Sequence, residues 1–156
     1  MSKSLKRVKH ALEESGIGGE VLEMSASTKT ADQAAEAAGC ELDQIVKSII
    51  FRGEETGEAL LFLTAGGNRV SAEKAALIAG EPLGRADAAL VRSQTGFAIG
   101  GVAPIGHLNP IRTFWDARLS EFDVIYAAAG TPNHIFAASP DDLKRVSGAV
   151  PGDFTD

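Results

Sequence analysis

Two strand-length runs, Val-Lys-Ser-Ile-Ile-Phe-Arg at 46–52 and Glu-Ala-Leu-Leu-Phe-Leu-Thr at 58–64, flank the pentapeptide Gly53-Glu54-Glu55-Thr56-Gly57. Runs rich in β-branched and aromatic residues on either side of a short glycine-bounded polar segment predict a β-hairpin. Side chains alternate across a strand, so Lys47 falls on one face with Ile49 and Phe51, and Val46, Ser48 and Ile50 take the other. A lysine in line with Ile49 and Phe51 sits at the open end of the strand or aims into a pocket. As an edge residue it carries its ammonium out to water. At the mouth of a pocket, the same ammonium holds a phosphate or a terminal ribose.

The segments around the hairpin set the fold class. Residues 4–15 place Leu5, Val8 and Leu12 on one helical stripe, with Gly16 as a stop. Residues 20–24 read as a short strand. Thr30-Ala31-Asp32-Gln33 fits a capping box and opens an alanine-rich helix that Gly39 closes. Ser71 caps a helix running through Ala79 and ended by Gly80, and Asp87 caps a shorter one that stops before Gly96. Strands follow at 111–116, 123–129 and 134–137. Ser139-Pro140-Asp141-Asp142 then starts a helix with an N-cap serine, proline at the first position and acids against the dipole; Gly148 ends it. Helices and strands mix without strict alternation. An α+β fold is expected, a central mixed, largely antiparallel sheet flanked by helices. Residues 1–156 read as one domain, with a frayed tail over about 149–156.

Charge and cysteine usage narrow the function classes. The single cysteine, Cys40, cannot close an internal bridge, and neither CxxC nor CxxH spacing is present for zinc. It reads as a small packed residue. No apolar run reaches membrane-spanning length, and the charged N-terminus lacks an apolar signal core. A cytoplasmic protein with no membrane partner is expected. The formal charge of −6 argues against coating nucleic acid through bulk electrostatics. It leaves room for a local grip, and Lys3, Lys6, Arg7, Lys9 and His10 form one basic cluster, which also fits a solvated helix face.

Residues 96–106 hold four glycines and a proline, too many for a regular element. The stretch Gly100-Gly101-Val102-Ala103-Pro104-Ile105-Gly106 lacks the Lys-Ser/Thr ending of a phosphate loop and the spacing of a dinucleotide fingerprint. Glycines there let main chain approach a ligand closely, and free N–H and C=O groups can orient a hydroxyl, a water or a developing oxyanion. A tight inter-element turn is the plainer reading of the same residues. His134 follows a Gly-Thr-Pro-Asn turn and can serve as a rim hydrogen bonder or a structural histidine. His107 is a weaker candidate. No metal-ligand spacing and no Gly-x-Ser-x-Gly nucleophile occurs, so neither metal nor cofactor is expected. An enzyme built this way would work through backbone groups, water and the substrate's own hydroxyls.

Taken together, these segments resemble the YbaK family, which includes the editing domain inserted in bacterial prolyl-tRNA synthetase. The resemblance rests on 46–53 (Val-Lys-Ser-Ile-Ile-Phe-Arg-Gly), 93–97 (Ser-Gln-Thr-Gly-Phe), 100–107, 122–130 and 139–143, in the family's order, and spans roughly residues 20–146. It implies a free-standing hydrolase that acts in trans. Its substrate would be tRNA, the proline-specific tRNA foremost, mischarged with a small amino acid. Lys47 matches the family's lysine, expected to hold the tRNA end. Gly100 and Gly101 belong to the Gly-x-x-x-Pro loop whose backbone positions the ester, and the terminal 2′-hydroxyl or a water assists. Phe51, Thr64, Pro104, Gly106 and His134 join as substrate-binding residues. The mischarged acceptor end is the implied partner, with prolyl-tRNA synthetase a second, and the protein a monomer or weak homodimer. The cysteine-clearing members carry a tyrosine on an early strand; Glu-Val-Leu-Glu-Met stands at 20–24 here, which departs from cysteine specificity. The alternative is a non-catalytic module that binds a tRNA end or an aminoacyl nucleotide and regulates a synthetase.

Overall fold

Each α-helix among the described residues opens on a side chain that accepts an orphan amide of its first turn. Ser2, Thr30, Ser71, Asp87 and Ser139 cap α1 (Lys3–Ser15), α2 (Ala31–Ala38), α3 (Ala72–Ala79), α4 (Ala88–Thr95) and α5 (Pro140–Ser147). At Thr30 the box is reciprocal, with Gln33 returning a bond to the cap. Each helix stops on a glycine in the left-handed region: Gly16, Gly39, Gly80, Gly96 and Gly148. The structure, a computed structural model, describes residues 2–17, 20–25 and 28–156.

Among the described residues there is one eight-stranded mixed sheet. Its strands are β1 (Val21–Glu23), β2 (Ile45–Gly53), β3 (Ala59–Ala65), β4 (Leu83–Arg85), β5 (Arg112–Trp115), β6 (Ile125–Ala128), β7 (His134–Ala138) and β8 (Val150–Pro151). Their order is β1-β7-β6-β2-β3-β5-β8, with β4 also on β2. Pairings β1–β7, β6–β7, β2–β3 and β2–β4 are antiparallel, while β2–β6, β3–β5 and β5–β8 are parallel. The expected hairpin is present, with Lys47 opposite Thr64 and Phe51 opposite Leu60. Its tip is tied down by the buried carboxylate of Glu81, which accepts from the amides of Glu55 and Thr56 and from the Thr56 hydroxyl.

The two faces of β2 feed different cores. Val46 and Ile50 belong to the larger one, with Leu61, Leu63, Val91, Phe97, Val102, Trp115 and Phe136. Ile49 and Phe51 lie against a smaller aromatic one, where Phe62 stacks on Phe114 at 4.9 Å and meets Phe154 edge-on at 5.1 Å. The tail is therefore not frayed. Residues 150–151 extend the sheet beside β5, Thr155 bridges to Val70, and the Phe154 ring is fully buried. One aromatic at the right distance from a strand supplies enough apolar area to dock a segment whose polar neighbours read as solvated. Strand β4, carrying Gly84 at its centre, was also hidden in the sequence. No helix among the described residues is long and apolar enough to cross a membrane.

The sheet is interrupted along one edge of β2. The edge away from β3 is shared: β6 pairs only with Ile45 and Val46, and β4 only with residues 51–53. Between them lies a notch. The Gly53 amide donates to Glu58 O across the hairpin, whereas the Glu54 amide donates to Pro82 O on the β4 side. Alternation along an extended chain then directs the N–H and C=O of Ser48 and the N–H of Ile50 into the notch, where none of the described strands pairs with them; the Ile50 C=O is engaged on the β4 side by the Phe51–Arg85 pairing.

Candidate functional site

A cavity of about 740 Å³ occupies this notch. All of 45–50 lines it, together with Ala127 and Ala128 of β6, Ala86 and Val91 next to and within α4, and Ile135 of β7. Thr28, Lys29, Thr30 and Ala31 bring the positive end of α2 to its wall, and Ile99, Gly100 and Val102 contribute the glycine loop. Lys29 and Lys47 are the lining cations, and no aspartate or glutamate is among the described lining residues. The site is thus a largely apolar cleft with a positive rim. That suits a small apolar group attached to an anionic or polyhydroxyl carrier.

Lys47 reaches the end of its strand face, beyond Ile49 and Phe51, and its ammonium donates to the main-chain carbonyl of Asn68. Asn68 is held in turn: its amide donates to Ala65 O at 2.9 Å and its side-chain nitrogen to Asp116 Oδ2 at 2.9 Å. Asp116, a buried carboxylate, also accepts the amides of Ala65 and Arg118, both at 3.0 Å. Burial lowers the Lys47 pKa and the Arg69 charge adds to the effect, with Asp43, Asp116 and Asp32 opposing. The lysine is therefore anchored at one point of a fixed turn and partly desolvated before any ligand arrives.

The glycine loop divides between two jobs. Gly100 lines the cavity at φ +96, where a Cβ would stand 3.4 Å from Lys29 Cγ. Gly101 does not line it. Its amide donates to Ala98 O at 3.1 Å, and a Cβ there would meet the Thr131 main chain at 2.9 Å. The absent side chain lets the 130–133 turn pass against the loop. That turn takes the amide and hydroxyl of Thr28, each at 2.7 Å, on Pro132 O. Pro104 and Gly106 lie further along, in a separate groove with Glu14 and Ser15. There α1 clamps the loop: Arg7 Nε donates to Gly106 O at 2.8 Å and its guanidinium sits 4.6 Å above the Phe97 ring.

The structure thus brings Lys47 and Gly100 to one cavity, with Val102, and places the other expected residues elsewhere. Phe51 packs edge-on against Phe62, and Thr64, fully buried, donates to Phe62 O. His134 Nδ1 is 2.6 Å from Thr131 Oγ1, and its Nε2 is 3.8 Å from Glu23 Oε2. None of the three is among the cavity's lining residues. His107 is a loop brace, with Nε2 2.7 Å from Ala103 O. Burial lowers its pKa, the Ala103 bond opposes, and Arg7 adds to the lowering. The carbonyl partner requires the Nε2–H tautomer. Thr28, Lys29, Thr30, Ser48 and Tyr126 also line the cavity and were not among the expected site residues. The capping box at Thr30 was the available signal, since it located the start of α2 without saying what that start faces.

The profile of the aminoacyl-tRNA editing domain family matches residues 25–146, a span holding both the notch and the loop. The chain belongs to this family. Among its relatives is the uncharacterized protein YwhH of Bacillus subtilis (strain 168). It is 31% identical over 144 residues, which cover 92% of this chain and 91% of YwhH. A crystal structure described as that of a candidate trans-editing enzyme for prolyl tRNA synthetase superposes with a TM-score of 0.92 at 45% identity. It covers 100% of this chain and 99% of its own. A scaffold used for computational grafting of linear epitopes superposes at 0.91 with 41% identity, over 100% and 99% of the two chains. The mixed sheet with flanking helices is the editing-domain fold that these matches share.

Proposed function

We propose that this editing domain is a deacylase acting in trans that hydrolyses the ester of tRNA mischarged with a small amino acid, with the proline-specific tRNA as its carrier. The prolyl assignment is supported by the description of the 45% identical structure. The observation that carries the reading is the chemistry of the notch cavity: a positive rim over small apolar walls, beside the backbone of Gly100. Lys47, Lys29 and the start of α2 hold the ribose-phosphate end. Ala86 and Val91 bound the space left for the aminoacyl side chain. A synthetase pocket separates side chains differing by one methylene by only ~1–3 kcal/mol, so a second, smaller sieve is needed to clear its errors.

Neither a histidine nor a carboxylate is among the described lining residues. Hydrolysis accordingly uses water oriented by main-chain groups and the terminal 2′-hydroxyl. The water oxygen adds to the ester carbonyl, and the bond from that carbon to the ribose oxygen breaks. The water's proton ends on the ribose oxygen, leaving free amino acid and intact tRNA. Lys47 has to be charged to hold the tRNA end. With its pKa lowered, that grip weakens on raising the pH sooner than for an ordinary lysine.

The test is amino acid release from a panel of mischarged tRNAs. Losing one charge-assisted contact of ~1.5–3 kcal/mol, Lys47→Ala should slow release ~10- to 100-fold. Failure of every panel member to react faster than in buffer would overturn the activity. A fully active Lys47→Ala would overturn the role of the lysine.

A further inference from the structure

Along the notch, the edge of β2 is left without a strand partner among the described residues. The main chain points the N–H and C=O of Ser48 and the N–H of Ile50 into the cavity, between the last pairing with β6 at Val46 and the first with β4 at Phe51. Main-chain polar groups at the wall of an apolar cleft call for a partner, and that partner has to match their spacing. The Ser48 hydroxyl adds to the demand. Its oxygen is the one side-chain polar atom, among the described residues, that is buried without a hydrogen bond. The residue itself lines the cavity, so a rotation about χ1, a fast motion, turns the hydroxyl toward a ligand.

Resting on the deacylase reading for the ligand's class, we infer that Ser48 receives the aminoacyl group as a one-residue antiparallel β-partner. An α-aminoacyl ester contains the N–Cα–C=O unit of a peptide residue. In a hydrogen-bonded antiparallel pair, two such units exchange both of their N–H···O bonds. The Ser48 amide then donates to the ester carbonyl oxygen, and the Ser48 carbonyl accepts from the α-ammonium. Residues paired in this way carry their side chains on the same face of the sheet. The aminoacyl side chain therefore enters the Ser48 face, where Val46, Ile50, Ala86, Val91 and Val102 leave room for a small group.

Two consequences distinguish this arrangement from a pocket that only excludes by size. The site reads configuration, because a D-residue holding both bonds sends its side chain away from that space. It also supplies a fixed donor where charge gathers as water adds to the carbonyl, so the bond that orients the ester strengthens in the transition state.

The experiment uses the intact ¹⁵N-labelled protein and non-hydrolysable 3′-aminoacylamino-3′-deoxyadenosines carrying L-alanyl, D-alanyl or propionyl groups. The L-alanyl compound is expected to move the Ser48 amide resonance most. It should bind about tenfold more tightly than the propionyl compound, which lacks the charged donor, and than the D-alanyl compound. Equal affinity for all three overturns the inference. So does absence of L-alanyl binding, or shifts confined to the glycine loop. If the L-alanyl preference holds while no mischarged tRNA is hydrolysed, the deacylase reading falls and the pairing stands. If tRNA is hydrolysed and the propionyl compound binds equally, the pairing alone falls.

Discussion

Replacing Gly101 by alanine tests whether the glycine loop is built for packing at this position. The added Cβ would lie 2.9 Å from both Cα and C of Thr131 and 3.1 Å from its nitrogen. Carbon atoms pack at about 3.5–4.0 Å, so loop and turn have to separate by roughly half an ångström or more. The obstacle is main chain and has nowhere to go. Gly130 already backs onto Ser4 O, Pro132 O accepts two bonds from Thr28 at 2.7 Å, and Asn133 O accepts the Met24 amide at 2.7 Å. Overpacking of this kind costs about 1–3 kcal/mol. For a chain of this size each kcal/mol lowers Tm by about 2–4 °C. Gly84→Ala is the control. Its Cβ would meet Glu54 Oε1 even more closely, but that is the end of a flexible exposed side chain that can swing aside at a cost below about 0.5 kcal/mol. Urea denaturation, read as a shift of midpoint at constant slope, separates the two. A Gly101→Ala protein as stable as wild type, or a Gly84→Ala protein equally damaged, would refute the argument.

Two further outcomes bear on the fold. Phe154→Ala, which removes a fully buried ring from the Phe62 cluster, should cost about 3–5 kcal/mol in urea denaturation; an unchanged midpoint would mean the tail contributes nothing. His107 has a folded pKa below its unfolded one, so the unfolded chain binds the extra proton first. Its contribution is complete above about pH 6.5 and is lost as pH falls from there through the folded value. His107→Gln, able to keep a donor on Ala103 O, should lose less stability than wild type over that window in parallel melts; identical slopes would count against a buried neutral imidazole.

Local signals were legible wherever the governing interaction is local. The caps at Thr30, Ser71, Asp87 and Ser139 and the left-handed glycines behind each helix act within one turn, and the faces of the hairpin strands follow from alternation. Phe154 and β4 were hidden because each depends on a distant surface, the Phe62 cluster for one and the Glu81-tied hairpin tip for the other. The site divides in the same way. Lys47 and Gly100 stood out by residue type and motif, and the fold brings them to one cavity. Ser48 could be assigned to a face, but the gap beside it arises because β6 and β4 each stop short, and neither stop is encoded near residue 48. Gly101 carried the same motif signal as Gly100, although its surroundings are a crossing of two backbones.

The interrupted edge of β2 also bears on solubility. Unpaired strand edges are the usual template for unwanted self-association, and proteins blunt them with charge, proline or cover. Here the unsatisfied groups are the N–H and C=O of Ser48 and the N–H of Ile50, on an interior strand closed off above and below by β6 and β4. A docking strand from another chain typically brings about five residues and finds no length to pair along. A single amino acid does. The architecture thereby offers backbone hydrogen bonding to a metabolite-sized visitor while denying it to a fibril.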